Sequence, residues 1–161
     1  FGPITVEEEE MKEFKVLMVD DEEDFVTTLA ERMKMRDLDS EVALNGEQAL
    51  QAVEDDIPDV MVLDLKMPGI DGMEVLRRVR KAYPQVQVVI LTGHGSEKDE
   101  AEARRLGAFA YLQKPVDIEK LVTTLKNAYK KKLEDTMVAA TFAEEGDFQT
   151  ARQVMDDSDK K

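Results

Sequence analysis

The sequence predicts an α/β fold, a parallel sheet with helices on both faces. Three observations predict it. Short apolar runs alternate with helical stripes five times in about 120 residues. Several of those runs are continuous, as in strands buried on both sides. Turn-forming Asn, Gly and Pro punctuate the alternation.

Val16-Leu17-Met18-Val19 reads as the first strand, and it stops at Asp20-Asp21. Phe25, Leu29 and Met33, with Val26 and Ala30, form the first helical stripe. Glu41-Val42-Ala43-Leu44 is a weaker second strand. Asn45-Gly46 ends it, and Ala49, Leu50 and Val53 mark a short helix. Val60-Met61-Val62-Leu63 is the third strand, stopping at Asp64. Met67-Pro68-Gly69-Ile70-Asp71-Gly72 is turn chemistry, and Met73, Leu76, Val79 and Tyr83 carry the next helix as far as Pro84. Val86 to Leu91 is the fourth strand, followed by Thr92. Ser96 is the expected N-cap of a helix reaching Leu106, with Gly107 as its stop. Phe109 to Leu112 is the fifth strand, ending at Lys114-Pro115. The last helix carries Ile118, Leu121, Val122, Leu125 and Tyr129. It is expected to run out in Lys130-Lys131-Lys132, where lysines suit the negative end of the helix dipole.

Charge narrows the function. The net charge of −14 disfavours contact with nucleic acid or an anionic membrane. The absence of cysteine excludes disulfides and thiolate chemistry, and the single His94 excludes a multi-histidine metal cage. No apolar run nears the ~20 residues that span a bilayer, and the acidic start lacks the plan of a signal peptide. A soluble, cytoplasmic protein is expected. The opening Phe1-Gly2-Pro3 reads as a tag remnant or the edge of a fragment. Residues 1–13 form an acidic tail, 14–132 the folded domain, and 133–161 an acidic helical extension, possibly a hairpin.

The ends of the strands carry the chemistry. In a parallel sheet these ends share one edge, where ligands of such sheets bind. Asp20-Asp21, Asp64, Thr92 and Lys114 would meet there. Crowded carboxylates call for a cation. Hard oxygen donors suit Mg²⁺, and lysine supplies a charge for an anion. The set fits phosphoryl transfer onto a carboxylate.

Four segments, each at a strand end, resemble the receiver domain of two-component response regulators. They are Val19-Asp20-Asp21-Glu22, Leu63-Asp64-Leu65-Lys66-Met67-Pro68-Gly69-Ile70-Asp71-Gly72, Leu91-Thr92-Gly93 and Lys114-Pro115. The resemblance covers roughly residues 14–132. It implies a doubly wound five-stranded sheet of order 2-1-3-4-5 flanked by five helices. It implies Asp64 as phosphoacceptor, with Asp21 and Asp64 on Mg²⁺, Asp20 assisting through water, and the Lys66 backbone carbonyl completing the ligands. Lys114 and Thr92 would hold the phosphoryl group, and Tyr111 would swing inward. The Lys114-Pro115 bond would be cis. The phosphodonor would be a sensor histidine kinase or a phosphotransfer protein. The output would be a downstream protein bound at the face from Ser96 to Tyr129.

Plainer roles compete at some positions. Thr92 also suits a strand end and Tyr111 a core aromatic. The side chains of Lys66 and His94, two residues past Asp64 and Thr92, read either as tuners of hydrolysis or as solvated bystanders. A haloacid-dehalogenase-type phosphatase would want a second aspartate where Lys66 stands. Met137, Val138, Thr141 and Phe142 share a helical face, and a second short helix is expected after Asp147. Residues 139–151 resemble one tetratricopeptide-type unit. The extension reads as a hairpin packed on the domain, a loose tail, or a docking or homodimerisation element. Nothing in it resembles a DNA-binding module.

Overall fold

The computed structural model describes residues 14–144. The acidic tail and the second helix expected after Asp147 lie outside the described residues. Five parallel strands form one sheet in the order β2-β1-β3-β4-β5. They are β1 (Val16–Val19), β2 (Ser40–Ala43), β3 (Val60–Leu63), β4 (Gln87–Thr92) and β5 (Ala110–Gln113). The helices are α1 (Glu23–Lys34), α2 (Gly46–Asp55), α3 (Gly72–Ala82), α4 (Glu97–Arg105) and α5 (Ile118–Glu144).

The two faces of β1 explain the layers. Val16 and Met18 join one core with Val26, Leu29 and Met33 of α1 and with Leu121 and Leu125 of α5. Leu17 and Val19 join the other, with Val53 of α2, Leu76 and Val79 of α3, and Ala103 of α4. Successive strand residues point to opposite faces, so a run apolar throughout feeds both cores. β2 lies at the sheet's edge, and its Glu41 and Val42 are exposed. That half-wet position explains its weaker signal.

The starts of α2, α3 and α4 are capped by side chains that accept backbone hydrogen bonds. Asn45 accepts from the Gln48 N–H at 2.8 Å and Asp71 from the Glu74 N–H at 2.9 Å. Ser96 and Asp99 form a reciprocal capping box, with both bonds at 3.1 Å. α5 does not stop at Lys132. It continues to Glu144, so Met137 and Val138 belong to the same helix as Leu121. Lys131 pairs with Asp135 one turn on, and Lys132 reaches Asp59. These lysines are mid-helix partners rather than a terminus. Among the described residues no helix is long and apolar enough to cross a membrane.

Candidate functional site

Parallel pairing brings the strand ends to one edge. Val19 lies beside Ala43 and Leu63, and Leu63 beside Ile90. The residues that follow are therefore neighbours. The Asp20 N–H donates to the Ala43 carbonyl, that of Asp64 to Val19, and that of Lys114 to Thr92, all within 3.1 Å. The backbone is thus fixed at the positions from which these side chains project.

Asp20, Asp21 and Asp64 each offer an oxygen, and the three lie within 4.8 Å of one another. Asp20 and Asp64 are buried, whereas Asp21 is exposed. Burial raises the pKa of Asp20, against the pull of Lys114 and of the Glu22 N–H, which donates at 2.9 Å. The Asp64 carboxylate accepts from the Lys66 N–H at 3.2 Å. Hard oxygens with surplus negative charge fit a small divalent cation. Two cavities of about 590 and 520 Å³ lie beside α3 and α4 and at the opposite sheet edge, and Asp20, Asp21 and Asp64 line neither. The carboxylates occupy the rim of the sheet, where a hydrated ion has direct access through exposed Asp21.

Lys114 is the counter-charge. Its ammonium donates to Asp20 at 2.6 Å and to Asp64 and Glu22 at 3.3 Å. Burial works to lower its pKa, but the hydrogen bond and charge of Asp20, then those of Asp64, outweigh it and the net shift is upward. The ammonium also stands over the Phe25 ring, 4.4 Å from its centroid. The Lys114-Pro115 peptide is cis. Sequence reasoning missed two of these neighbours. Glu22 was quoted only as part of a motif, and Phe25 was placed in the core stripe of α1. Phe25 does pack against that core, but its ring also faces a lysine 89 residues away. No local sequence signal reports such a contact.

Thr92 is fully buried, and its hydroxyl lies 3.5 Å from the His94 N–H. His94 itself is exposed. Tyr111 is buried, and burial first, then Asp99, Glu100 and Asp64, raise its pKa. Its phenol fills the space over Gly95. A Cβ on Gly95 would come 1.5 Å from the Tyr111 oxygen and 2.9 Å from Thr92 Cγ2. Lys66 extends toward α4, where its ammonium stands 3.8 Å from Asp99. Gly72 meets a second steric demand: a Cβ there would lie 2.1 Å from the Asp64 carbonyl oxygen. The first turn of α3 therefore presses directly on the backbone of the acidic site.

Residues 16–126 match the response regulator receiver domain family. A response regulator of Rickettsia typhi described as NtrX-like is 35% identical over 120 residues, covering 73% of this chain and 25% of that protein. The chain spans about a quarter of the length of the curated relatives it matches. A receiver domain protein from Clostridium thermocellum is similar in structure, with TM-score 0.71 and 32% identity, covering 74% of this chain and 97% of that one. The receiver domain of the Francisella response regulator 1452 gives TM-score 0.69 and 30% identity, covering 74% and 98%. With this match across most of its length, and with three carboxylates and a lysine gathered at one sheet edge, the chain belongs to the response regulator receiver domain family.

Proposed function

We propose that the chain accepts a phosphoryl group on Asp64, with Mg²⁺, and signals by conformational change. The observation that carries this reading is the meeting of Asp20, Asp21 and Asp64 within 4.8 Å beside the ammonium of Lys114. A receiver domain implies a histidine kinase as phosphodonor. The donor is such a kinase or a phosphotransfer protein, and the setting is the cytoplasm.

In the transfer an Asp64 carboxylate oxygen attacks phosphorus. The P–N bond of the donor phosphohistidine breaks, and its electron pair leaves with the imidazole nitrogen. Asp21 and Asp64 would hold Mg²⁺ directly, Asp20 through water, and the Lys66 carbonyl would complete the set. Bound there, the ion neutralises charge on the carboxylates and the phosphoryl oxygens. Lys114 exchanges a carboxylate for a phosphoryl oxygen, and the Thr92 hydroxyl donates to another. Tyr111 follows Thr92, and the face from Ser96 to Tyr129 presents the result to a downstream protein. At the same site water attacks phosphorus, the bond from phosphorus to the Asp64 oxygen breaks, and inorganic phosphate leaves with the Asp64 carboxylate restored, a self-catalysed step. Lys66 and His94 are assigned the lesser role of tuning that attack.

Intact mass after incubation with Mg²⁺ and a small phosphodonor tests the reading. One base-labile adduct is expected, absent in Asp64→Ala. An adduct that persists in that variant reassigns the acceptor. For residues 133–161 the readings are a hairpin packed on the domain, a loose tail, or a docking or homodimerisation element; equal self-association of the full chain and a version ending at Lys132 rejects the homodimerisation reading.

A further inference from the structure

The Phe25 ring has no part in the chemistry described above, yet it stands against the residue on which that chemistry turns. The Lys114 ammonium has three hydrogen-bond donors and three carboxylate partners: Asp20, Asp64 and Glu22. The same nitrogen lies 4.4 Å from the centroid of the Phe25 ring. Glu22 is exposed and draws the ammonium toward solvent, whereas Asp20 and Asp64 are buried and draw it inward. A lysine stem is flexible, so competing partners spread it over several positions. An aromatic face attracts a cation without taking any of its N–H donors. Phe25, Asp20 and Asp64 also line one small cavity of about 10 Å³, so ring and carboxylates form a single wall.

We propose that Phe25 is a positioning residue for Lys114, holding its ammonium at the phosphoryl site through its aromatic face. This deepens the phosphoacceptor reading and rests on it. When a divalent cation engages the carboxylates, their pull on Lys114 weakens. The ring neither titrates nor binds the ion, so its hold persists through the exchange of carboxylate for phosphoryl oxygen. A leucine at this position would fill much the same apolar space against α1 but offer no π face.

The test compares Phe25→Leu and Phe25→Trp with the unmodified chain, each checked for folding by thermal melting. Two readouts are followed. One is the rate of adduct formation from acetyl phosphate with Mg²⁺. The other is the NMR position of the Lys114 ε-methylene protons, which a ring current moves upfield without any phosphodonor. Phe25→Leu is expected to return those protons to an ordinary lysine position. It should slow adduct formation about five- to thirtyfold, as loss of a partly desolvated cation–π contact implies. Phe25→Trp should restore both. A folded Leu variant that keeps the parent rate and proton position overturns the proposal, as does a folded Trp variant that fails as fully as Leu. If the unmodified chain forms no adduct at all, the phosphoacceptor reading fails by itself. The proton positions then decide whether the ring holds the lysine.

Discussion

The two edges of the sheet handle charge in opposite ways. At the edge where the strands begin, two lysines are paired with acids of the chain. Lys15 pairs with Asp56, and Asp59 accepts from the Lys15 N–H at 2.7 Å and from the Lys132 ammonium. Phe14 stacks on Tyr129 with centroids 4.6 Å apart, closing β1 onto α5. Arg80 donates to the Pro84 and Val86 carbonyls, although burial lowers its pKa. At the edge where the strands end, Asp20, Asp64 and Glu22 surround one ammonium, and Asp21 lies beside Asp20 and Asp64. At the first edge these particular charges find partners within the chain. The second carries a negative surplus, a group of acids that could hold a metal ion.

Stability measurements with and without Mg²⁺ sharpen this contrast. The largest loss is expected from Phe14→Ala, which removes a buried ring from the first edge at a cost of about 4 kcal/mol. Its deficit in urea unfolding should be the same with and without Mg²⁺. Lys114→Ala should cost about 3 kcal/mol without the ion, because two buried carboxylates lose their counter-charge. Here added Mg²⁺ should recover much of the loss, since binding to the folded state stabilises it. A Mg²⁺-independent deficit for Lys114→Ala would erase the distinction between the edges. The contribution of Lys114 also has a pH signature. Its folded pKa is raised, so that stability is present below the ordinary lysine value of 10.5 and is lost as pH rises through the folded value.

Gly95→Ala should cost about 2 kcal/mol by overpacking against Tyr111. Most of that loss should disappear in a Gly95→Ala, Tyr111→Ala pair, and additive losses in the double-mutant cycle would show that the two do not meet. The smallest effect is a gain. The Asp20 pKa is raised mainly by burial, so its charged form is a liability in the folded state. That liability is absent below the ordinary value of 3.8, grows as pH rises to the folded pKa, and stays constant above it. Asp20→Asn should therefore raise the urea midpoint at neutral pH without Mg²⁺, and the gain should vanish in acid.

How much of this was legible in the sequence follows from how local each signal is. β1 and β3 run between the expected residues because every position in them is buried. The start of α4 was readable because Ser96 and Asp99 cap each other across three residues. β2, β4 and β5 are each displaced by one residue from expectation, because an apolar run marks burial and not where the ladder of hydrogen bonds starts and stops. The end of α5 was misjudged because lysines serve equally well at a helix end and in i,i+4 pairs, and Asp135 decides for the latter. In the site, the strand-end acids and Lys114 were readable from position alone. The place of Phe25 was not, because its periodicity satisfies the α1 stripe and its second contact is long-range.

The length of α5 has a mechanical consequence. Its 27 residues span about 40 Å, and among the described residues the hydrophobic core reaches along it to Leu133. The helix continues about 16 Å past Leu133, so a 10° tilt of its earlier turns would carry the final turn through about 3 Å. A rearrangement too slight to open the core would thereby be magnified along the length of α5.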